Sequence, residues 1–419
     1  MSSTRKNSFL SHKLISRTNI ALVAICCMLA GFLTSRALLS FGITMFGVAG
    51  LWGMHPKEWL KQKWWLLGVV WVSILALSYF WSSNKADWAY RMEIKMPFLL
   101  LPLAFSLLPA FSLNQLRGFT VAICSLLLIS AIYSASFLAS NFNDLIYGYK
   151  VSKVLPTLAE NDHIRFSLCI LLTIIWCAYF WPRLEGKIMK GFVAITMVVL
   201  SVYLHVLAAR TGLMLWYLFI IAYTVFYVSR RNKALAIAVF IVLIVMALVA
   251  IEYVPTLRNR VGYFNYMYIL FRQGEISAIY SDMNRMISYE ISSRVIAAHP
   301  LAGVGLGDMM TAMAKGYDKY YPGTDNDLKI LPHNQFLVMG LAVGIPALLL
   351  FVTWVFAPLR YVRRNRDSFF FAMVWLVLLL PLLVEPMLEI QFGVFVYLFF
   401  LLWQRHILLK GITGQQKQA

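Results

Sequence analysis

Long apolar runs alternate with short polar connections along most of the chain. Many of these runs approach or exceed the length that an α-helix needs to cross the roughly 30 Å hydrocarbon core of a bilayer. The pattern predicts about twelve membrane spans, at residues 19–35, 37–53, 64–81, 96–111, 118–138, 164–181, 188–206, 211–228, 234–251, 334–356, 368–384 and 388–404. The fourth span is short and contains Pro97, Pro102 and Pro109.

One polar interruption, from Glu252 to His333, is far longer than the other connections. It divides the chain into three parts: a membrane bundle of about nine spans at 1–251, a loop with amphipathic helices at 252–333, and C-terminal spans with a tail at 334–419. Because the surrounding segments are apolar, aqueous chemistry is expected in this loop.

The loop carries its own helical pattern. Asp282 or Asn284 is a plausible N-cap for a helix that ends near Ala298, where His299-Pro300 stops it. The run Gly303-Val304-Gly305-Leu306-Gly307 follows, before a second amphipathic helix at 308–321. The run lacks the Lys-Ser/Thr pair of a phosphate-binding loop, so it is interpreted as a tight turn between two helices.

Composition and charge agree with a membrane location. The 419 residues are 61% hydrophobic and 13% charged, which excludes an ordinary soluble domain and indicates an all-α polytopic membrane protein. With the N-terminus in the cytoplasm and the first apolar run retained as a signal anchor, 21 of the 37 Lys and Arg residues face the cytoplasm beside three acidic residues. The other side holds 16 basic and 15 acidic residues. The net charge of +19 therefore reflects topology, with membrane lipids as the partner and no nucleic acid.

This topology places the polar chemistry at the outer membrane surface. His163, Arg165, Arg210, Arg285 and His333 all fall there, and no ionisable residue lies at the middle of a predicted span. Proton-coupled transporters usually need such residues at mid-membrane, so the pattern favours an interfacial enzyme. The five cysteines all lie within spans, which makes a disulfide framework or a cysteine-based metal site unexpected.

Three motifs occur in order along the chain. They are Ala208-Ala209-Arg210-Thr211-Gly212 opening a helix, Arg285 followed by His299-Pro300-Leu301 and the glycine run, and His333-Asn334-Gln335-Phe336-Leu337 opening the next span. In this order the motifs resemble the O-antigen ligase and polymerase superfamily. The resemblance implies a glycosyltransferase of GT-C type in the bacterial inner membrane, with its active site on the periplasmic face. It would transfer a glycan from an undecaprenyl-diphosphate carrier to lipid A-core.

The resemblance also implies roles for individual residues. Arg210 and Arg285 occupy the positions of arginines that bind the donor diphosphate, and guanidinium suits this task because it stays charged and forks onto phosphate oxygens. His333 is then the general base on the acceptor hydroxyl. Direct displacement would invert the anomeric centre. No carboxylate cluster of metal-ligand type is apparent, so neither a metal nor another cofactor is expected.

Four further residues are candidates for the same site. His163 and Arg165 could face the glycan or the diphosphate, or form a local pair with Asp162. Glu385 and Glu389 bracket the last outer turn, and one of them could orient an arginine or His333.

Two other functions stay open on the sequence. A polymerase would use the same donor with a second lipid-linked glycan as acceptor. A polysaccharide-lipid transporter would need a continuous polar cavity through the bundle, and neither the apolar spans nor the absence of an evident internal repeat favours it.

Overall fold

The computed structural model describes residues 16–52, 63–141, 155–159, 162–207, 209–253, 281–363 and 365–413, with a few residues between 266 and 273. Within these ranges the elements are α-helices joined by short 3-10 turns. The helices, in chain order, are α1 (Arg17–Thr34), α2 (Arg36–Leu51), α3 (Lys63–Leu77), α4 (Lys85–Lys95), α5 (Pro97–Leu107), α6 (Leu113–Ser140), α7 (His163–Phe180), α8 (Lys187–Leu207), α9 (Arg210–Ser229), α10 (Lys233–Tyr253), α11 (Ser281–Ala298), α12 (Met309–Tyr320), α13 (Gln335–Phe356), α14 (Arg366–Leu382) and α15 (Gln391–Lys410).

The helices confirm an all-α polytopic membrane protein. Every predicted span overlaps one of them. Among the described residues, seven helices are long and apolar enough to cross a membrane, namely α1, α6, α7, α8, α9, α13 and α15. Helices α2 and α3 are apolar but shorter, as is the segment Lys233–Val242 of α10. The count of twelve spans stays a prediction.

The predicted fourth span, 96–111, is shorter in the structure. Helix α5 has 11 residues, about 16 Å at 1.5 Å per residue. Helix α4 ends at Lys95, and Met96, the single residue between the two helices, caps both of them. Pro97 accounts for the break, since it has no N–H to continue the ladder of α4. Together α4 and α5 contain about 34 Å of helix, so we expect the fourth crossing to run over Lys85–Leu107.

The charges predicted to be cytoplasmic meet at one end of the bundle. Arg17 Nη2 donates to the carbonyls of Gly50 at 2.8 Å and Leu107 at 3.3 Å, which joins the start of α1 to the ends of α2 and α5. Arg117 pairs with Glu185 at 2.7 Å. Residues predicted to be on the outer side contact one another at the other end, described below.

The glycine run inserts into a break in α13. Gly344 has φ of 79°, a left-handed conformation that interrupts the helix. The freed carbonyls of Leu341 and Ala342 accept hydrogen bonds at 2.9 Å from the N–H groups of Val304 and Gly305. This segment is therefore a docking element of the loop and more than a turn between its two helices.

The same run also contacts the end of α3 and the start of α4. Gly307 N donates to Ser82 Oγ at 3.2 Å. The Asp308 carboxylate accepts from the backbone N–H groups of Ser83 at 2.6 Å and Asn84 at 2.9 Å. The loop is thereby fixed between two membrane segments that are far apart in sequence.

The first loop helix begins before its predicted cap. Because α11 starts at Ser281, Asn284 lies inside the helix and neither it nor Asp282 precedes it. Asn284 Nδ2 donates instead to the Leu328 carbonyl at 2.8 Å, and Tyr317 donates to Asn284 Oδ1 at 3.0 Å. This side chain ties α11 to α12 and to the segment after it.

Candidate active site at the outer end of the bundle

His333 lies one residue before the cap of α13. Asn334 caps that helix, with its side chain accepting from the N–H groups of Phe336 and Leu337. His333 Nδ1 is 3.1 Å from Glu385 Oε2, in the turn between α14 and α15. The other oxygen, Glu385 Oε1, accepts from Arg285 Nη2 at 3.0 Å. One carboxylate thus joins a histidine, a loop arginine and the last outer turn.

Glu385 is ionised in this arrangement. Burial pulls its pKa upward, since its side chain is only 8% exposed, but the hydrogen bond from His333 and the positive charges of Arg285 and Arg165 outweigh burial and lower the pKa below its ordinary value. An ionised carboxylate can only accept, so His333 Nδ1 carries the proton in this contact. His333 Nε2 is then the nitrogen that can accept a proton.

Two further contacts hold His333 and the residue that follows it. Tyr289 of α11 donates its hydroxyl to the His333 carbonyl at 2.7 Å. Asn334 Nδ2 donates to the Leu383 carbonyl at 3.0 Å. Sequence analysis did not single out Tyr289, although its spacing of four residues from Arg285 places both on one face of α11.

His163 and Arg165 line a cavity of about 290 Å³, which we call the outer cavity. Arg36 of α2 and Asp162 also line it. Arg165 is 6% exposed, and its Nη1 is 3.4 Å from Asp162 Oδ1. The local pair that the sequence left open is present, and Arg165 is also close enough for its charge to act on Glu385.

Arg210 is the first residue of α9, and its side chain is exposed. A Cβ at Gly212 would be 2.4 Å from Ser167 Oγ, so the start of α9 packs closely on the first turns of α7. Arg210 is thereby brought to the end of the bundle where Arg165 lies. His333, Glu385 and Arg285 are in direct contact, whereas Arg210 is located only through its helix.

Glu389 lies in a second cluster, apart from His333. Its Oε1 accepts from Lys95 Nζ at 2.8 Å and from Gln335 Nε2 at 2.9 Å. Arg91 Nη1 is 3.4 Å from Oε2. Gln335 Oε1 accepts from Leu388 N at 2.7 Å, which ties the start of α13 to the turn that carries Glu385. Of the two glutamates, Glu385 contacts the histidine and Glu389 stabilises the turn.

This second cluster buries charged groups beside the last predicted outer turn, and sequence analysis did not single out its two cations. Lys95 and Gln335 are fully buried, and Arg91 is 8% exposed. The sequence placed Lys95 outside the fourth span, one residue before its predicted start. The spacing of Arg91 and Lys95, one helical turn apart on one face of α4, was the signal that could have identified them.

Comparison with known families places these residues in context. Residues 195–352 match a family model described as O-antigen ligase. The resemblance to the O-antigen ligase and polymerase superfamily is confirmed. The matched segment includes Arg210, Arg285 and His333, and it ends before Glu385. A search of curated proteins found no match.

Members of the O-antigen ligase family are glycosyltransferase-like enzymes of ligase or polymerase type that act in general on lipid-linked glycans. Over residues 195–352 the protein is therefore similar to this superfamily, and it has several apolar helices long enough to cross a membrane. Within the part of the chain that the structure describes, no group of three or more His, Cys, Asp or Glu residues is placed to hold a metal ion. Arg285 contacts Glu385, and Arg36 and Arg165 line the outer cavity.

Proposed function

We propose that the protein is an O-antigen ligase that moves a glycan from undecaprenyl diphosphate to lipid A-core on the periplasmic face of the inner membrane. The observation that carries this proposal is the Glu385 carboxylate bridging His333 and Arg285 at 3.1 and 3.0 Å. It unites a base and a phosphate-binding cation from separate elements of the chain. The reaction is proposed to be inverting and independent of metal ions.

In the proposed step, His333 Nε2 accepts the proton of the acceptor hydroxyl. The acceptor oxygen attacks the anomeric carbon of the donor, and the bond from that carbon to the diphosphate oxygen breaks. The diphosphate leaves with the electron pair and stays on its lipid. Glu385, which accepts from Nδ1, stabilises the imidazolium that forms, as the carboxylate of a hydrolase triad does.

Arginines meet the charge of the departing diphosphate. Arg285 keeps donors beyond the one on Glu385, because a guanidinium has five N–H groups. Its side chain is 36% exposed, so it can receive a ligand. Arg210 is proposed to bind the same diphosphate from the start of α9, with Arg165 and His163 beside it.

Gene deletion followed by gel analysis of lipopolysaccharide separates the two activities of the superfamily. A ligase deletion leaves bare core while intact polymer accumulates on the lipid carrier. Core that carries a single repeat would instead indicate a polymerase and contradict the ligase assignment.

His333→Ala should abolish transfer while protein level and donor binding stay close to wild type. General-base catalysis is worth about 10²- to 10⁴-fold, so the loss should appear in kcat. Transfer is measured with purified protein, donor and acceptor. His299→Ala is the matched control, because His299 is exposed in the same loop. Full activity of His333→Ala would overturn the base assignment.

The metal-free reaction has its own test. Transfer should continue after treatment with a strong chelator, because arginines replace a divalent ion on the diphosphate. Loss of activity on chelation that Mg²⁺ or Mn²⁺ restores would contradict this part of the proposal.

A further inference from the structure

Two cavities meet at the outer end of α2 and share Arg36 and Ile390. One is the outer cavity lined by Arg165 and His163. The other, which we call the side groove, has a volume of about 780 Å³ and lies between α2, α3, α4, α5 and the start of α15. Its lining includes Ala37, Ser40, Thr44, Val69, Leu100 and Leu103.

The side groove is polar near Arg36 and apolar beyond it. Ala37, Ser40 and Thr44 are spaced as one face of α2, so the groove follows this helix for about 12 Å from Arg36. Gln391 donates to Ser40 Oγ at 2.7 Å, and Tyr90 and Glu93 of α4 add the remaining polar groups. Such a surface fits an apolar chain that ends in a charged group.

The outer cavity is built for an anion. Arg165 is buried, and its Nε has no hydrogen-bond partner among the described atoms although Nη1 pairs with Asp162. A buried donor without an acceptor is costly, and this one belongs to a side chain that lines the cavity. Arg36 adds a second guanidinium, and Asp162 is the single carboxylate among the cavity residues.

We infer that the side groove and the outer cavity together bind one polyisoprenyl diphosphate, with its chain in the groove and its lipid-linked phosphate against Arg36 and Arg165. The sugar-linked phosphate then points toward Arg285, because Arg165 is close enough to Glu385 for its charge to be felt there. Naming this lipid as the donor rests on the proposed function. One groove leading to one cationic cavity suits a single chain, whereas a lipid A acceptor carries several.

The test compares ligands that share a headgroup but differ in chain length. Binding of undecaprenyl diphosphate and of geranyl diphosphate is measured on the purified full chain in detergent. Thr44→Trp fills the groove from an exposed position of α2, and should weaken binding of the long lipid at least about tenfold without changing that of the short one. Val48→Trp, exposed one turn further along α2 and outside the groove, should change neither.

A second pair of variants tests the charged end. Arg36→Gln should weaken both diphosphates alike and leave undecaprenol, which has no phosphate, unaffected. Arg294→Gln, at an exposed arginine of the loop outside both cavities, is the matched control and should not weaken either diphosphate. Unchanged binding of undecaprenyl diphosphate by Thr44→Trp would overturn the inference. A variant that lost binding of lipid A but kept binding of undecaprenyl diphosphate would overturn it as well.

The outcomes also separate the inference from the proposed function. Binding needs no transfer, so wild-type protein that binds undecaprenyl diphosphate through the groove but transfers nothing to lipid A-core would remove the ligase proposal alone. If Thr44→Trp transfers glycan as well as the wild-type protein, the groove inference fails and the ligase proposal stands.

Discussion

At the scale of single residues, the proposed acid–base chemistry depends on which side chains contact the Glu385 carboxylate. This carboxylate is buried, accepts from Arg285 and His333, and lies within the influence of Arg165. A lone histidine at a helix start could equally be a structural residue. The carboxylate on Nδ1 distinguishes His333, because it fixes the tautomer in which Nε2 can act as a base.

Glu385→Gln tests that role directly. The amide can still accept a hydrogen bond but has no charge to stabilise the imidazolium, so kcat should fall about 10²- to 10⁴-fold with little change in donor KM. Steady-state transfer by purified protein provides the measurement. A variant with wild-type kcat would show that Glu385 only supports the fold.

The lowered pKa of Glu385 also predicts an acid limit. A carboxyl whose pKa is lower in the folded than in the unfolded state contributes stability above the unfolded value of about 4.3, and this contribution is lost as pH falls through the folded value. Thermal unfolding of wild-type protein should therefore become easier below that range, and Glu385→Gln should show a weaker pH dependence there. Identical profiles of the two proteins would contradict the shift.

At the scale of elements, the turn that carries Glu385 is held by contacts that take no part in the proposed catalytic step. Gln335 accepts from Leu388 N and donates to Glu389, while Lys95 of α4 donates to the same glutamate and to the Leu388 carbonyl. These bonds connect α4, the start of α13 and the turn before α15. We interpret Gln335 as a positioning residue for the pair His333 and Glu385.

Gln335→Met keeps the length of the side chain and removes both hydrogen bonds. We expect kcat to fall about 10- to 100-fold while donor binding is maintained, since a small displacement of the turn misplaces the base. Asn326→Ala, an exposed amide of the loop, is the control and should behave as wild type. A rise in donor KM at unchanged kcat would argue for a binding role instead.

The glycine run gives a stability prediction for the loop. A Cβ at Gly307 would lie 2.2 Å from the Asn84 carbonyl oxygen and 3.0 Å from Trp88 Cβ, so Gly307→Ala should cost about 1–3 kcal/mol of stability. Gly118→Ala is the matched control, because nothing lies within 4 Å of that position and alanine favours the helix. Thermal unfolding in detergent measures both. Equal stability of the two variants would show that the loop moves away without cost.

At the scale of the whole molecule, charge separates into two ends. The basic residues predicted to be cytoplasmic contact the ends of α1, α2, α5 and α6, and the histidines and arginines of the candidate site meet at the opposite end. The family match over 195–352 covers the large loop together with α9, α10 and most of α8 and α13.

Reporter fusions test this orientation. Alkaline phosphatase is active only outside the cytoplasm, so a fusion at Gly323 should be active and one at Arg363 inactive. A fusion at Ser83, before α4, should also be active, because α4 and α5 are assigned to one crossing toward the cytoplasm. The opposite pattern would invert the topology and place His333 on the cytoplasmic side.

The sequence by itself determined the class, and it predicted the outer location of the polar loop and identified His333, Arg285 and Arg210 as candidates. The lengths of the hydrophobic runs and the charge asymmetry are local properties of the sequence, so they do not depend on how the helices pack. The ordered motifs carried the family resemblance for the same reason.

Only the tertiary structure decided which polar groups act together. Glu385 lies 52 residues from His333 and 100 from Arg285, and Lys95 lies 294 from Glu389, so no local pattern relates them. Burial made these pairings necessary, since a charge removed from water must find a partner wherever the fold brings one. The same reasoning separates the two glutamates of one turn: packing set Glu385 beside the histidine and Glu389 beside the buried lysine.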